Sequence, residues 1–416
     1  MKKQKITAAG GVAKSRLYYG YYVLLACFFI IMLVFGAQAS FGVFFKPMLN
    51  EFHWTRASTS LPFSLNLILC GVFGILAGRI SDRVGPRLVV TVGGVILGSG
   101  YILMSRITNL WGLYLSYGII VALGSSAMYV PLVSMVTRWF PRKRGLMVGI
   151  GVSGIGFGIG VVPTIASHLM ISFDWHNSLL IVGGASMVLI AGLAQFLRAK
   201  PEMQIAAPSG EEKPNAPAQA PSPGLTFNEA VKTSQFWMIF FAWLLYGFFY
   251  QIGAVHIIPY ATDLGMSALA AAALLTIIGL IGIIGRAGLG FIGDKLHNNV
   301  TLAIGFILVA VVFFAITISG TVQMLYIYAV MYGLFSGVGL LLASINAEHF
   351  GLQSLGAITG AIIFGNNIGG ALGPFLAGYI YDTNGNYRLA FLLCGVAGIA
   401  AGIVIWLVKP AAKQRN

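Results

Sequence analysis

Gly78-Arg79-Ile80-Ser81-Asp82-Arg83-Val84-Gly85-Pro86-Arg87 has an echo: 212 residues after its first glycine comes Gly290-Phe291-Ile292-Gly293-Asp294-Lys295. In each stretch a glycine leads into a short polar patch with an acid beside a base, and each patch follows a long apolar run. Other such runs are Tyr21 to Phe45, Leu88 to Met104 and Thr301 to Gly320. A bilayer is spanned by roughly 20 apolar residues at 1.5 Å rise per residue. These runs are too long, and too little alternated, for outer-membrane strands, so they read as helices. Of the 416 residues 58% are apolar and 9% charged, against about 25% charged in a soluble domain. The 54 glycines suit membrane helices that pack backbone to backbone.

Working outward from the repeated patch gives twelve predicted helices, at 19–48, 57–80, 87–106, 111–136, 144–170, 176–198, 235–263, 268–292, 300–320, 323–349, 354–382 and 388–408. Residues 199–232, rich in Pro, Ala, Ser, Glu and Lys, read as a flexible linker between halves 1–198 and 233–416. Further landmarks keep register across the halves. Pro47 recurs as Pro259 at 212, and Gly145, Gly149 and Pro163 recur as Gly356, Gly360 and Pro374 at 211. The expected fold is an all-α integral membrane protein, with twelve transmembrane helices in two pseudo-symmetric six-helix bundles. Parallel repeats of this kind rock about a site at their interface.

The net charge of +14 is a topology signal. Of the 25 Lys and Arg, twenty fall at the termini, in the linker or in the even-to-odd loops; Arg56, Arg106 and Arg388 fall on the other side, and Lys46 and Arg286 lie within helices. That bias predicts a multi-pass protein of the cell (inner) membrane with both termini cytoplasmic. It argues against a nucleic-acid partner. Cys27, Cys70 and Cys394 sit in apolar runs and form neither a disulfide framework nor a metal set. No cleavable signal peptide is read at the basic start. The six His are dispersed and no nucleophile, base or metal set is clustered, so an enzyme is not expected. No cofactor is expected either, apart from protons as a coupling ion, and a monomer is expected.

Arg286 is the sharpest residue, interrupting the otherwise uncharged run Leu274 to Ile292. An Arg within a span costs about 2.5–3.5 kcal/mol on insertion scales and usually faces a cavity or partner. Its repeat-mate is Gly74, so the repeat itself needs no charge there. A guanidinium fork binds a carboxylate bidentately and keeps its proton, so Arg286 is the expected anion site, with snorkelling toward the cytoplasmic face as the alternative. Asn366 and Asn367, adjacent amides in an apolar helix, put at least one amide toward the cavity, and Tyr129 and Tyr332 are mid-helix hydroxyls that could line it. Lys46, near the outer end of the first helix with Glu51 just beyond, either snorkels or draws anions. Asp263, the repeat-mate of Glu51, is an outer-gate or proton-handling candidate, and His256 a proton candidate against a structural role. Gly78, Asp82, Arg83 and Arg87 make the conformational loop, a glycine for close packing and charges for a cytoplasmic network. Gly149-Ile150-Gly151-Val152-Ser153-Gly154 fits a dinucleotide fingerprint only by letters, because no strand precedes it. Gly154/Gly158, Gly156/Gly160 and Gly365/Gly369/Gly373 read as helix contacts.

The loop from Gly78 to Arg87 resembles the signature of the major facilitator superfamily. Within it, the chain resembles the proton-coupled monocarboxylate transporters. Ser40-Phe41-Gly42-Val43-Phe44-Phe45-Lys46 is similar to their first-helix segment, and Trp139-Phe140-Pro141-Arg142-Lys143-Arg144-Gly145 to their basic approach to helix five. Arg286-Ala287-Gly288-Leu289-Gly290 is similar to their helix-eight segment and Leu372-Gly373-Pro374 to helix eleven. The resemblance implies a lactate- or pyruvate-like acid carried with one proton by alternating access, and with the short termini it points to a bacterial L-lactate carrier. Two departures weaken proton coupling. Animal members place a lysine seven residues before the Lys46 position, here Ala39, and an aspartate four before the helix-eight Arg, here Gly282. Oxalate/formate antiporters have a second cation in helix eleven, where this chain has Phe364-Gly365-Asn366-Asn367; one cation suits a monoanion. An anion exchanger on the same scaffold, or a non-transporting carboxylate receptor, are the competing readings.

Overall fold

The computed structural model describes residues 18–140, 144–198, 224–295, 298–336, 341–351 and 353–408. Helices α1 (Gly20–Ala39) and α2 (Phe41–Phe52) form the first span, interrupted at Ser40. Then follow α3 (Arg56–Val84) and α4 (Pro86–Met104). The fourth span comprises α5 (Leu110–Leu113), a π-helical segment Tyr114–Val121, α6 (Ala122–Ser126) and α7 (Tyr129–Trp139). Helices α8 (Arg144–Val152) and α9 (Gly154–Ser172) form the fifth span and α10 (Trp175–Ala194) the sixth. After the short α11 (Phe227–Ala230) come α12 (Ser234–Asp263), α13 (Ala268–Lys295), α14 (Asn298–Ser319), α15 (Val322–Ser336), α16 (Leu342–Phe350), α17 (Leu355–Asn384) and α18 (Arg388–Leu407). Among the described residues eleven helices are long and apolar enough to cross a membrane, and Val322–Phe335 is a shorter apolar one. That is the all-helical fold expected from the apolar runs. The run read as one helix over 323–349 is described as two pieces, α15 and α16.

Local chemistry sets the helix ends. The hydroxyl of Thr55 accepts from Ser58 N at the start of α3, the carboxylate of Asp174 accepts from Asn177 N before α10, and the hydroxyl of Thr233 accepts from Phe236 N before α12. Such caps satisfy amides that have no partner within the helix. Between α3 and α4 stands the single residue Gly85 at φ +91°, a backbone region open to glycine, and Pro86 begins the next helix, where its missing N–H costs nothing. The last residues of the stretch read as linker are ordered: Thr226 and Glu229 form a capping box, and Leu225 N bonds to Phe350 O at 2.8 Å.

Among the described residues, buried apolar side chains sort into two large clusters and a small one of Ala77, Val89 and Ala127. One large cluster runs from Val23 to Leu197 and takes in Val255; the other runs from Ala230 to Val408 and takes in Val43. Glycines bring helices together as their spacing predicted. A Cβ on Gly154 or Gly158 would strike the backbone of Phe28 or Met32 on α1, while the opposite face of α9 meets α13, where Gly279 lies against Gly156 and Gly160. On α17, Gly365 abuts the Phe240 ring, Gly369 the Leu244 carbonyl and Gly373 the Phe248 carbonyl of α12. The glycine stretch 149–154 lies in a helical span, and among the described residues no strand precedes it, so it holds no dinucleotide turn.

Candidate functional site

A cavity of about 360 Å³ lies between residues of the two clusters. Gln38, Phe41, Phe63 and Tyr129 line it from the first half, and Tyr246, Tyr250, Gln251, Tyr332, Asn366 and Asn367 from the second. Four of the sequence candidates, Tyr129, Tyr332, Asn366 and Asn367, thus meet at one place. Tyr129 is 40% exposed and packs edge-on to Phe35. Tyr332 is buried and its hydroxyl donates to Tyr250 O at 2.8 Å, so its proton serves the backbone. Asn366 and Asn367 are half-buried. Arg286 stands on α13, eleven residues beyond the cavity-lining Leu275; that is about three turns. Its side chain, like that of Asp82, lies outside the described residues.

A second constellation sits at the end of the helices away from Gly20, the start of α1, and Leu407, the end of α18, here called the distal end. Lys46 Nζ on α2 donates to Asp263 Oδ1 at 3.0 Å and to Thr262 Oγ1 at 3.2 Å. Arg56 Nη2, at the start of α3, donates to the other oxygen, Asp263 Oδ2, at 2.8 Å. One carboxylate of the second half therefore holds two cations of the first. Asp382 acts likewise: Arg56 N and Ala57 N donate to its two oxygens at 2.9 and 2.8 Å. An acid at a helix N-terminus is favoured by unpaired amides and the helix dipole, and here it comes from the opposite half. The Arg56 guanidinium also lies 3.6 Å from the Tyr381 ring centroid, a cation–π contact. Nearby, Ser64 Oγ donates to Ala371 O, and Gly378 lets α17 approach Arg56 and Ala57.

Behind the ion pairs lies a buried chain of hydrogen bonds. Arg56 Nη1 donates to Tyr387 Oη at 2.6 Å. His256 Nε2 contacts Pro374 O at 2.8 Å and Nδ1 contacts Tyr387 Oη at 2.9 Å. A carbonyl only accepts, so Nε2 carries the proton, and Tyr387 donates its own to Nδ1 while accepting from Arg56. Burial pushes the Tyr387 hydroxyl above its ordinary pKa, against the opposite pull of Arg56, so it remains a donor. His256 is fully buried within this chain and does not line the cavity.

At the loop after α3, Arg83 is exposed and Arg87 Nε donates to Gln195 Oε1 at 3.0 Å, within the same half. Gly78 is half-buried beside Val130. Lys46 does not pair with Glu51, which takes Trp175 Nε1 at 2.6 Å and His176 Nε2 at 3.4 Å.

The family profile described as the Major Facilitator Superfamily matches residues 27–345 and again 299–416. The chain belongs to the Major Facilitator Superfamily. Among this facilitator's relatives, monocarboxylate transporter 13 of Bos taurus is 28% identical over 396 residues, 94% of this chain and 89% of its own. Monocarboxylate transporter 12 of Rattus norvegicus is 26% identical over 442 residues, 99% of this chain and 90% of its own. In three dimensions it is similar to a bacterial homologue of the human lysosomal transporter Spinster, in an inward-facing and occupied conformation. That match has a TM-score of 0.75 at 17% identity and covers 94% of this chain and 97% of that one. It shows the fold alone. The protein is a multi-pass membrane transporter, not an enzyme.

Sequence reading counted Arg56 only as an outer-side charge and passed over Asp382 and Tyr387. A signal was present. Of eleven acids, Asp263 and Asp382 end helices of the second half on the side where Lys46 and Arg56 stand.

Proposed function

We propose that this facilitator carries a small monocarboxylate, L-lactate or pyruvate-like, together with a proton by alternating access across the cell membrane. The termini lie in the cytoplasm, so the distal end faces outward. The observation that carries this reading is the cavity between the halves, spanned at its distal end by Lys46 and Arg56 on one half and Asp263 and Asp382 on the other. Such contacts are made when the outer side is closed and must break for it to open. The relatives named monocarboxylate transporters supply the substrate class, and Arg286 supplies a permanent cation in a span whose repeat-mate is glycine. One cation favours a monoanion over a dianion.

Asp263 gives the proton a place to act. Its carboxylate is the point on which both distal cations converge, so neutralising it releases Lys46 and Arg56 together. Proteoliposomes containing the purified protein, given labelled L-lactate with and without an inward proton gradient, test the reading. Electroneutral accumulation that rises with the gradient is expected. Uptake indifferent to the gradient but stimulated by internal carboxylate would replace symport by exchange. Binding without any flux would make the protein a receptor.

A further inference from the structure

The geometry points to Gln38 as a specificity-determining residue, whose amide oxygen, oriented by Asn66, reads a hydrogen-bond donor on the substrate and so favours a hydroxy acid over an oxo acid. The inference rests on the carboxylate reading above. Gln38, two residues before the interruption that ends α1, lines the cavity. Its Nε2 donates to Asn66 Oδ1 at 3.1 Å. Asn66 on α3 is fully buried, and its Nδ2 donates to the carbonyl of Tyr117 at 2.8 Å. Tyr117 lies in the π-helical segment Tyr114–Val121, a geometry that recurs at functional sites.

The orientation of both amides follows from that carbonyl. A backbone oxygen accepts and cannot donate, so Asn66 must present its NH₂ to Tyr117 and its oxygen to Gln38. Gln38 must then present its NH₂ to Asn66. Ordinarily the two ends of an amide are told apart only by their partners; here the partners leave one arrangement. Cys70 Sγ, 3.6 Å from Asn66 Oδ1 and 3.5 Å from Ala122 O, has one weak S–H donor to share between these two acceptors. Reversing Asn66 would set two oxygens face to face in a buried place. Gln38 Oε1 is therefore the end turned from Asn66, a fixed acceptor at the wall of the cavity. A hydroxyl beside the carboxylate satisfies it. A 2-oxo group offers only acceptors and leaves it without a donor from the substrate.

Calorimetric titration of the purified, full-length protein with L-lactate and with pyruvate tests this. The parent is expected to bind lactate about tenfold more tightly, the scale of one such bond. Gln38→Leu should weaken lactate to the level of pyruvate and leave pyruvate unchanged, the retained pyruvate binding showing that the site is folded. Asn66→Leu, which keeps Gln38 but frees its orientation, should shrink the ratio in the same direction. Equal loss of both acids in Gln38→Leu, an unchanged ratio in that variant, or equal affinities in the parent would each overturn the role of Gln38 while leaving carboxylate transport standing. A parent that binds neither acid overturns the carboxylate reading, and the role of Gln38 falls with it.

Discussion

Replacing Asp263 by asparagine keeps the shape of the side chain and removes the charge on which both distal cations converge. The two arms differ in weight. Lys46 is 35% exposed in its side chain, so its pair is of the screened surface kind, worth about 0.5 kcal/mol. Arg56 is 9% exposed and Asp263 23%. Breaking a fully buried pair costs about 3–5 kcal/mol, and the partial exposure of Asp263 and the oxygen kept by asparagine reduce this to about 2 kcal/mol. Together the closed state loses about 2.5 kcal/mol, on the order of a fiftyfold change in the closed-to-open ratio. The readout is a Gln251→Cys reporter at the cavity wall, in a background lacking Cys27, Cys70 and Cys394, reacted with a membrane-impermeant maleimide from the distal side. Labelling follows the open fraction and should rise on the order of fiftyfold in Asp263→Asn. Adding Arg56→Gln should produce less than the sum of the two single changes, because the two residues share one interaction while Arg56 also holds Tyr387. A labelling rate within twofold of the parent would show that the distal contacts do not hold the closed state, and the gate assigned to Asp263 would be wrong.

Arg286→Ala should reduce lactate affinity about a hundredfold or more, by a loss of about 2–5 kcal/mol typical of a charge-assisted contact, and Arg286→Lys should lower transport sharply because the planar fork is gone. Unaltered binding in a well-folded Arg286→Ala protein would make the residue a snorkelling one. Gly158→Leu should block transport or folding, since its side chain would enter the Met32 backbone on α1; normal uptake would show that α1 and α9 separate easily. Tyr387→Phe leaves Arg56 Nη1 and His256 Nδ1 without their hydroxyl, at about 1–3 kcal/mol each, and should lower the thermal midpoint in scanning fluorimetry. A reporter enzyme fused after Asn416 should be active only in the cytoplasm; periplasmic activity would reverse the orientation taken from the basic residues.

Membrane spans and the helix class were readable in the chain because each is a one-dimensional property. A helix crossing lipid satisfies its own backbone, so length and apolarity are enough to find it. Glycine stripes were legible for the same reason: Gly365, Gly369 and Gly373 recur at one helical face whichever neighbour they meet. The cavity candidates Tyr129, Tyr332, Asn366 and Asn367 were found as polar interruptions of apolar helices, where exposure to lipid carries a cost.

What the order of residues could not show is which charges meet. Asp382 binds the backbone amide of Arg56, 326 residues away in the chain, and each residue alone looks like an ordinary loop-end charge. Their contact exists because α3 and α17 close on one another at Gly378, and the partnership of Lys46 with Asp263 rather than Glu51 depends on α2 meeting α12, where Gly42 lies against the Val255 carbonyl. His256 reads in the sequence as a lone titratable group; only tertiary structure places its two nitrogens between Tyr387 and Pro374. Apolar partition is a sum over neighbours in sequence, whereas a hydrogen bond depends on ångström-scale distances between groups that the fold alone brings together.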